Sequence, residues 1–262
     1  MSATLRIARS QLRDVARSRW LVVYALLLVA FAGALVAFGG GGRRALTGLV
    51  NLVLIVVPLV SVLFGTLYLY GARDFHRLLL AHPVGRDCLL DGQYLGLALP
   101  LAAVTALGLG APVLLTASGA AEAAAVARFL AVVTLLALGF LSLAFLVAAA
   151  IRDRSAGMGT ALLLWLGLTI VYDGVLFFAA TALAGWPLER PALAATLLNP
   201  VDTARVLLLM DLDAAALLGY TGAVFRRFFG GAAGAAVAFA ALAAWAIAPY
   251  LLARRIFRHG DL

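Results

Sequence analysis

Lysine is absent from this chain. All 20 basic residues are arginine, set against 12 acidic ones, for a formal net charge of +8. Without lysine there is no Walker A loop, whose Lys must reach the phosphates of a bound nucleotide. If this chain belongs to an ATP-driven machine, another chain binds the ATP. Cys88 is the sole cysteine, so no intrachain disulfide can form. Three His (His76, His82, His259) and three Met (Met1, Met158, Met210) complete a poor inventory for a metal conduit. His76, His82 and Cys88 match no tight ligand spacing, so no metal site is expected there. HExxH, GxSxG and a paired-carboxylate array within the apolar runs are all missing, so neither catalysis nor a cofactor is expected.

Charge of either sign is also thin. Charged residues make up 12% of the chain, roughly half the share in a soluble domain. No basic cluster alternates with aromatics, which argues against a nucleic-acid partner. The arginines suit cytoplasmic flanks that face anionic membrane lipid.

What fills the chain is apolar: 65% of its 262 residues are hydrophobic. A spanning helix needs about 20 apolar residues to cross a hydrocarbon core of ~30 Å. Six such runs predict spans at about 20–38, 46–70, 94–117, 127–150, 159–184 and 231–253. The expected fold is therefore all-α and polytopic, one transmembrane domain over residues 1–262 with no soluble domain. Thirteen arginines fall on the side of the N-terminus and seven on the other. The positive-inside rule then puts both termini in the cytoplasm and the long 185–230 segment outside. The run from Trp20 to Phe38 is too long for a cleaved signal peptide, and more spans follow it.

Residues 4–18 read as an amphipathic helix. Leu5, Ala8, Leu12, Val15 and Ala16 share a face, and Arg6, Arg9, Arg13 and Arg17 lie beside it. Such a helix is expected in the membrane interface, apolar face down. The cytoplasmic stretch "GARDFHRLLLAHPVGRDCLLDGQY" (71–94) combines the polar cluster Arg73, Asp74, His76 and Arg77 with Leu78, Leu79 and Leu80. Pro83 and Gly85 then turn the chain toward Arg86 and Asp87. A short helix there could dock in a groove on a soluble partner, or lie on the membrane and bury its leucines in lipid.

Within the spans, Asp173 is the one deep carboxylate. It must face protein or a water-filled cavity. It reads either as a cavity or subunit-interface group, or as a helix lock paired with Tyr172, Thr169 or Thr181. Asn51 is expected to act as interhelical glue. A single deep acid, with no span visibly interrupted by paired Gly or Pro, argues against a proton-coupled carrier.

The external segment holds its own helix signals. Asn199 can cap a helix that starts at Pro200, with Asp202 in its first turn. Asp202 and Arg205 stand at i,i+3 spacing. Asp213 can open a second short helix ending at Gly219. The expectation is two helices resting on the outer membrane surface, polar faces outward, as a platform or a lid.

An interfacial helix, six spans, a helical loop after span 2 and external helices before span 6 together resemble ABC-2 type permeases. "LLLAHPVGRDCLLDGQYLGLAL" and "LNPVDTARVLLLMDLDAAALLGYTGAVF" are similar, more narrowly, to the membrane subunits of transporters that serve copper-site maturation of nitrous oxide reductase. The resemblance implies a homodimer in the cytoplasmic membrane of a bacterium. It implies a separate ATPase contacting Arg73, Asp74, His76, Arg77, Leu78, Leu79, Leu80, Arg86 and Asp87. It also implies a periplasmic copper-maturation protein docking on Asp202, Arg205, Asp211 and Asp213. A generic exporter of lipid, peptide or drug, and a non-transporting assembly or anchoring protein, are the competing readings.

Overall fold

The computed structural model describes residues 3–39, 43–72, 85–117, 119–183, 189–212 and 231–259. Every regular element among them is a helix. An amphipathic helix α1 (Ala3–Ala16) leads into α2 (Arg19–Gly39), α3 (Arg43–Gly71), α4 (Arg86–Leu114) and α5 (Ala120–Ala150). The fifth span comprises α6 (Arg154–Leu166), a π-helical turn (Gly167–Val171) and α7 (Tyr172–Ala182). Two short helices follow, α8 (Glu189–Leu198) and α9 (Pro200–Asp211), and α10 (Ala232–His259) closes the described chain.

The six expected spans are present as helices long and apolar enough to cross a membrane. Their ends run further than the apolar runs predict. The third span was expected from residue 94, yet its helix starts at Arg86; the sixth, expected to 253, continues to His259. Both extensions carry charge, and the charges meet one another across the two helices, which lets each helix outlast its apolar stretch.

Helix α5 is the axis of the bundle. It packs against α3, α4, α9 and α10, and 67% of its most apolar window is buried, against 11% for the fifth span. Lipid supplies no hydrophobic drive between helices, so close backbone approach decides where they meet. At Gly65 of α3, an added Cβ would stand 2.6 Å from Ala144 Cβ of α5. Polar side chains inside the spans find local partners: Ser61 and Thr66 donate to the carbonyls of Val57 and Val62, four residues back.

The N-terminal helix packs part of its apolar face on protein. Its buried side chains are Ala8, Gln11 and Val15, and they lie on protein. Two glycines of α4 make room for them: a Cβ on Gly92 would meet Ile7 at 2.9 Å, and one on Gly96 would meet Gln11 Cβ at 2.5 Å. Leu5 and Leu12 stay exposed beside that seam. So the apolar face is divided, half against α4 and half free for lipid. The Gly92-x-x-x-Gly96 groove is the physical reason.

Candidate functional site

Chain direction fixes two ends of the bundle. The starts of α4 and α6 and the end of α10 share one end, with α1 beside them; the end of α7 and the α8–α9 pair lie toward the other. Each end carries a cluster of charged side chains.

At the first end, Asp87 and Asp91 project from successive turns of α4 and meet Tyr250, Arg254 and Arg258 of α10. Arg258 grips Asp87 with two guanidinium nitrogens, Nε at 2.5 Å. Arg254 spans both acids, 3.5 Å from Asp87 and 3.3 Å from Asp91. Tyr250 donates its hydroxyl to Asp91. Its ring stacks on Tyr94, centroids 4.2 Å apart, and Tyr94 in turn bonds Ser142 of α5 at 2.9 Å. Period-four spacing on both helices sets these groups opposite one another.

At the second end lies a broken helix. α8 and α9 meet at Asn199 with a bend of 109°. Pro200 at the first position of α9 cannot continue the hydrogen-bond ladder of α8, and Asn199 restarts it by accepting from the Val201 N–H at 2.9 Å. Carbonyls left open by the break find side chains. The Thr203 hydroxyl reaches the Thr196 carbonyl at 2.7 Å, and the Tyr172 hydroxyl donates to the Ala195 carbonyl at 2.7 Å. Asn199 also donates to the Leu168 carbonyl at 2.7 Å. That carbonyl belongs to the π-helical turn of the fifth span, where the ordinary i→i−4 ladder is interrupted. One asparagine thus ties two interruptions together.

Charge completes the seat. Arg205 of α9 reaches Asp173 of α7 at 2.7 Å and Asp202, one turn back on its own helix, at 3.0 Å. Asp202 is only 6% exposed. Asp173 and Arg205 keep 37% and 29% side-chain exposure. Further along α9, Asp211 pairs with Arg128 of α5 at 2.5 Å.

The cap at Asn199 and the Asp202–Arg205 pair match expectation. Several other expectations change. Asp202 is buried and not solvent-facing, because α9 sinks into the bundle: Val201, Ala204 and Leu208 are buried, together with Thr203 and Leu207. Arg205 and Asp211 are bonded to the spans. The partner of Asp173 is Arg205, brought from another helix by the fold, and not a neighbour on its own span; of those neighbours, Thr181 bonds its own helix at the Phe178 carbonyl. A broken segment does exist, where none was expected. Asn51 is exposed on α3. Asp87 sits in the first turn of α4 and holds α10. Arg86 opens the same helix. Arg73, Asp74, His76, Arg77, Leu78, Leu79, Leu80 and Asp213 lie outside the described residues, as does the helix expected from Asp213.

Sequence reasoning missed Asp91, Tyr250 and Arg254, which the spacing of Asp87–Asp91 and Arg254–Arg258 could have suggested. It also missed the α8–α9 break, whose signal was the Asn-Pro pair between two short apolar stretches. No group of three His, Cys, Asp or Glu able to hold a metal ion occurs among the described residues.

Six apolar helices, five of them around the buried α5, define a polytopic membrane protein, and the end-to-end comparisons define which kind. A family model for ABC-2 family transporter proteins matches residues 45–262, and the chain belongs to that family. It is a permease, the transmembrane component of an ABC transporter. Similar relatives include a protein of Pseudomonas aeruginosa named "Probable ABC transporter permease protein NosY", 31% identical over 98% of each chain. A protein of the same name from Stutzerimonas stutzeri is 29% identical over 98% of this chain and 99% of its own.

Proposed function

We propose that this permease works with a separate ATPase in maturing the copper sites of nitrous oxide reductase, as the NosY-like subunit of that transporter. The observation that carries the reading is likeness to NosY permeases over 98% of the chain. The absence of lysine from the whole sequence supports placing ATP on another chain. In this reading the protein sits in the bacterial inner membrane with both termini inside. The first charged cluster and residues 73–84 then face the ATPase, and the α8–α9 pair lies toward the periplasm, where a copper-maturation protein docks.

A second copy belongs to this reading. The fifth span buries 11% of its most apolar window, and it carries Asp173, with 37% of its side chain exposed, well inside an apolar helix. A carboxylate there is costly against lipid. A homodimer that closes over the fifth span would shield it, or enclose it in a water-filled cleft between the copies.

Two experiments test the proposal. Neighbouring genes for nitrous oxide reductase, an ABC ATPase and a periplasmic partner are expected; a chromosomal setting without them sinks the copper assignment and leaves a generic exporter. Replacement of Leu78, Leu79 and Leu80 by Asp is expected to abolish copurification with the ATPase while the chain still inserts in the membrane. Unchanged copurification would remove those residues from the contact.

A further inference from the structure

The seat of the broken pair holds two carboxyl groups and one guanidinium. Asp173 and Asp202 are bonded to the same Arg205, on two of its nitrogens. They also face one another directly. If both were ionised, the triad would carry one uncompensated negative charge between helices. Oδ1 of Asp202 accepts from Arg205, while Oδ2 is buried with no hydrogen-bond partner among the described residues. Thr169 Oγ1, on the π-helical turn that α9 also touches, is likewise buried without a partner among those residues. A buried carboxylate oxygen without a donor costs several times what an exposed one does.

Of the other ionisable groups near this seat, Tyr172 faces Asp202 from the fifth span, with its hydroxyl turned to the Ala195 carbonyl. Arg128 of α5 is held by Asp211 at the far end of α9. The arginines of α10, at 254, 255 and 258, lie in the last turns of that helix, at the other end of the bundle.

We propose that Asp173 and Asp202 form a proton-binding site, the two carboxyl groups sharing one exchangeable proton beside Arg205. A proton supplies what the geometry lacks: a donor for the pair and one positive charge. It also fits where a metal cation does not, since only two acidic ligands converge and a guanidinium already bonds both of them. Two carboxyl groups crowded together cannot both ionise at the ordinary carboxylate pH. The hold of α9 on the fifth span becomes sensitive to the acidity of the compartment it faces.

The test counts protons by charge balance. Full-length protein in lipid nanodiscs is titrated from about pH 5 to about pH 9 and followed by infrared difference spectroscopy of the protonated-carboxyl C=O band. Wild type is expected to show one band that bleaches as pH rises. Asp202→Asn and Asp173→Asn each leave one acid on one arginine, so both lose that band. Arg205→Gln leaves two acids and no counter-charge, and its band grows about twofold. A wild-type spectrum that neither acid variant alters overturns the proposal. So does loss in one acid variant alone, which marks a solitary buried acid. An unchanged band in a folded Arg205→Gln also overturns it. If Arg205→Gln does not fold, the two acid variants decide, because each retains an ion pair.

Discussion

The two charged clusters use the same side chains to different ends. On α4 and α10, two aspartates meet two arginines and a tyrosine, and each of these charged side chains keeps between 29% and 50% of its surface open to solvent. On the fifth span and α9, two aspartates meet a single arginine, and one of the acids is buried. Open pairs gain little from Coulomb attraction and are screened by salt. Enclosed ones repay their lost hydration only while every partner stays in place. The first cluster is thus suited to being made and broken as a neighbouring chain moves. The second fixes a broken helix whose backbone ladder is interrupted at Asn199 and completed by side chains. Similar pairs at similar distances therefore differ in burial and charge count.

The sharpest way to break this contrast is to remove the shared cation. Arg205→Ala leaves Asp173 and Asp202 facing each other without a counter-charge. A loss of about 3–5 kcal/mol is expected, the range for stripping one partner from a buried pair. Thermal melting of the detergent-solubilised protein should fall accordingly. A change no larger than that of an exposed arginine such as Arg9 would mean that the seat is not enclosed.

If exposed charge contributes little at the first end, something else must hold it, and the glycine groove of α4 is the candidate. Gly96→Val puts a Cβ 2.5 Å from Gln11 Cβ and a cost of about 1–3 kcal/mol is expected for overpacking. The helix α1 should lift, so trypsin cleaves at Arg9 or Arg13 sooner. Gly33→Ala is the control: nothing lies within 4 Å of an added Cβ, so melting and cleavage stay unchanged. Equal behaviour of the two would show that α1 does not depend on this close approach.

How much of this was legible in the sequence follows the range of the forces involved. Span number depends on apolar runs of about 20 residues, and such runs are local. The cap at Asn199 and the pairing of Asp202 with Arg205 are also local, within four residues, and both were readable. The partner of Asp173 was not, since 32 positions separate it from Arg205 and only the seating of α9 brings them together. The burial of α9 was hidden for a related reason. Asp202, Arg205 and Asp211 look like a solvated face until Asp173 and Arg128 arrive from other helices. The ladder on α4 and α10 fell between these cases. Its spacing of four was visible on each helix, but nothing in either stretch named the other.

The outer seat also offers a test that touches no charge. Asn199→Ala removes the cap of α9 and the donor to the Leu168 carbonyl in one step. About 1–2 kcal/mol should be lost, less than for Arg205→Ala. Amide exchange should rise at Val201 and around the π-helical turn together. Exchange confined to Val201 would separate the cap from the fifth span and leave the ion triad and the Tyr172–Ala195 bond as ties.

Asp87→Asn is expected to have the smallest effect on stability. The substitution keeps an acceptor for Arg258 and removes the charge from an exposed site, so melting in moderate salt should match wild type. In low salt the wild type should gain slightly and the variant should not, because only the charged pair responds to screening. The effect belongs instead in coupling. If the first cluster relays movement from the ATPase to α10, Asp87→Asn should slow turnover of the assembled transporter while leaving the isolated permease unchanged. A melting loss as large as that of Arg205→Ala would erase the distinction between the two ends. Normal turnover would reduce the ladder to a tie between two helices.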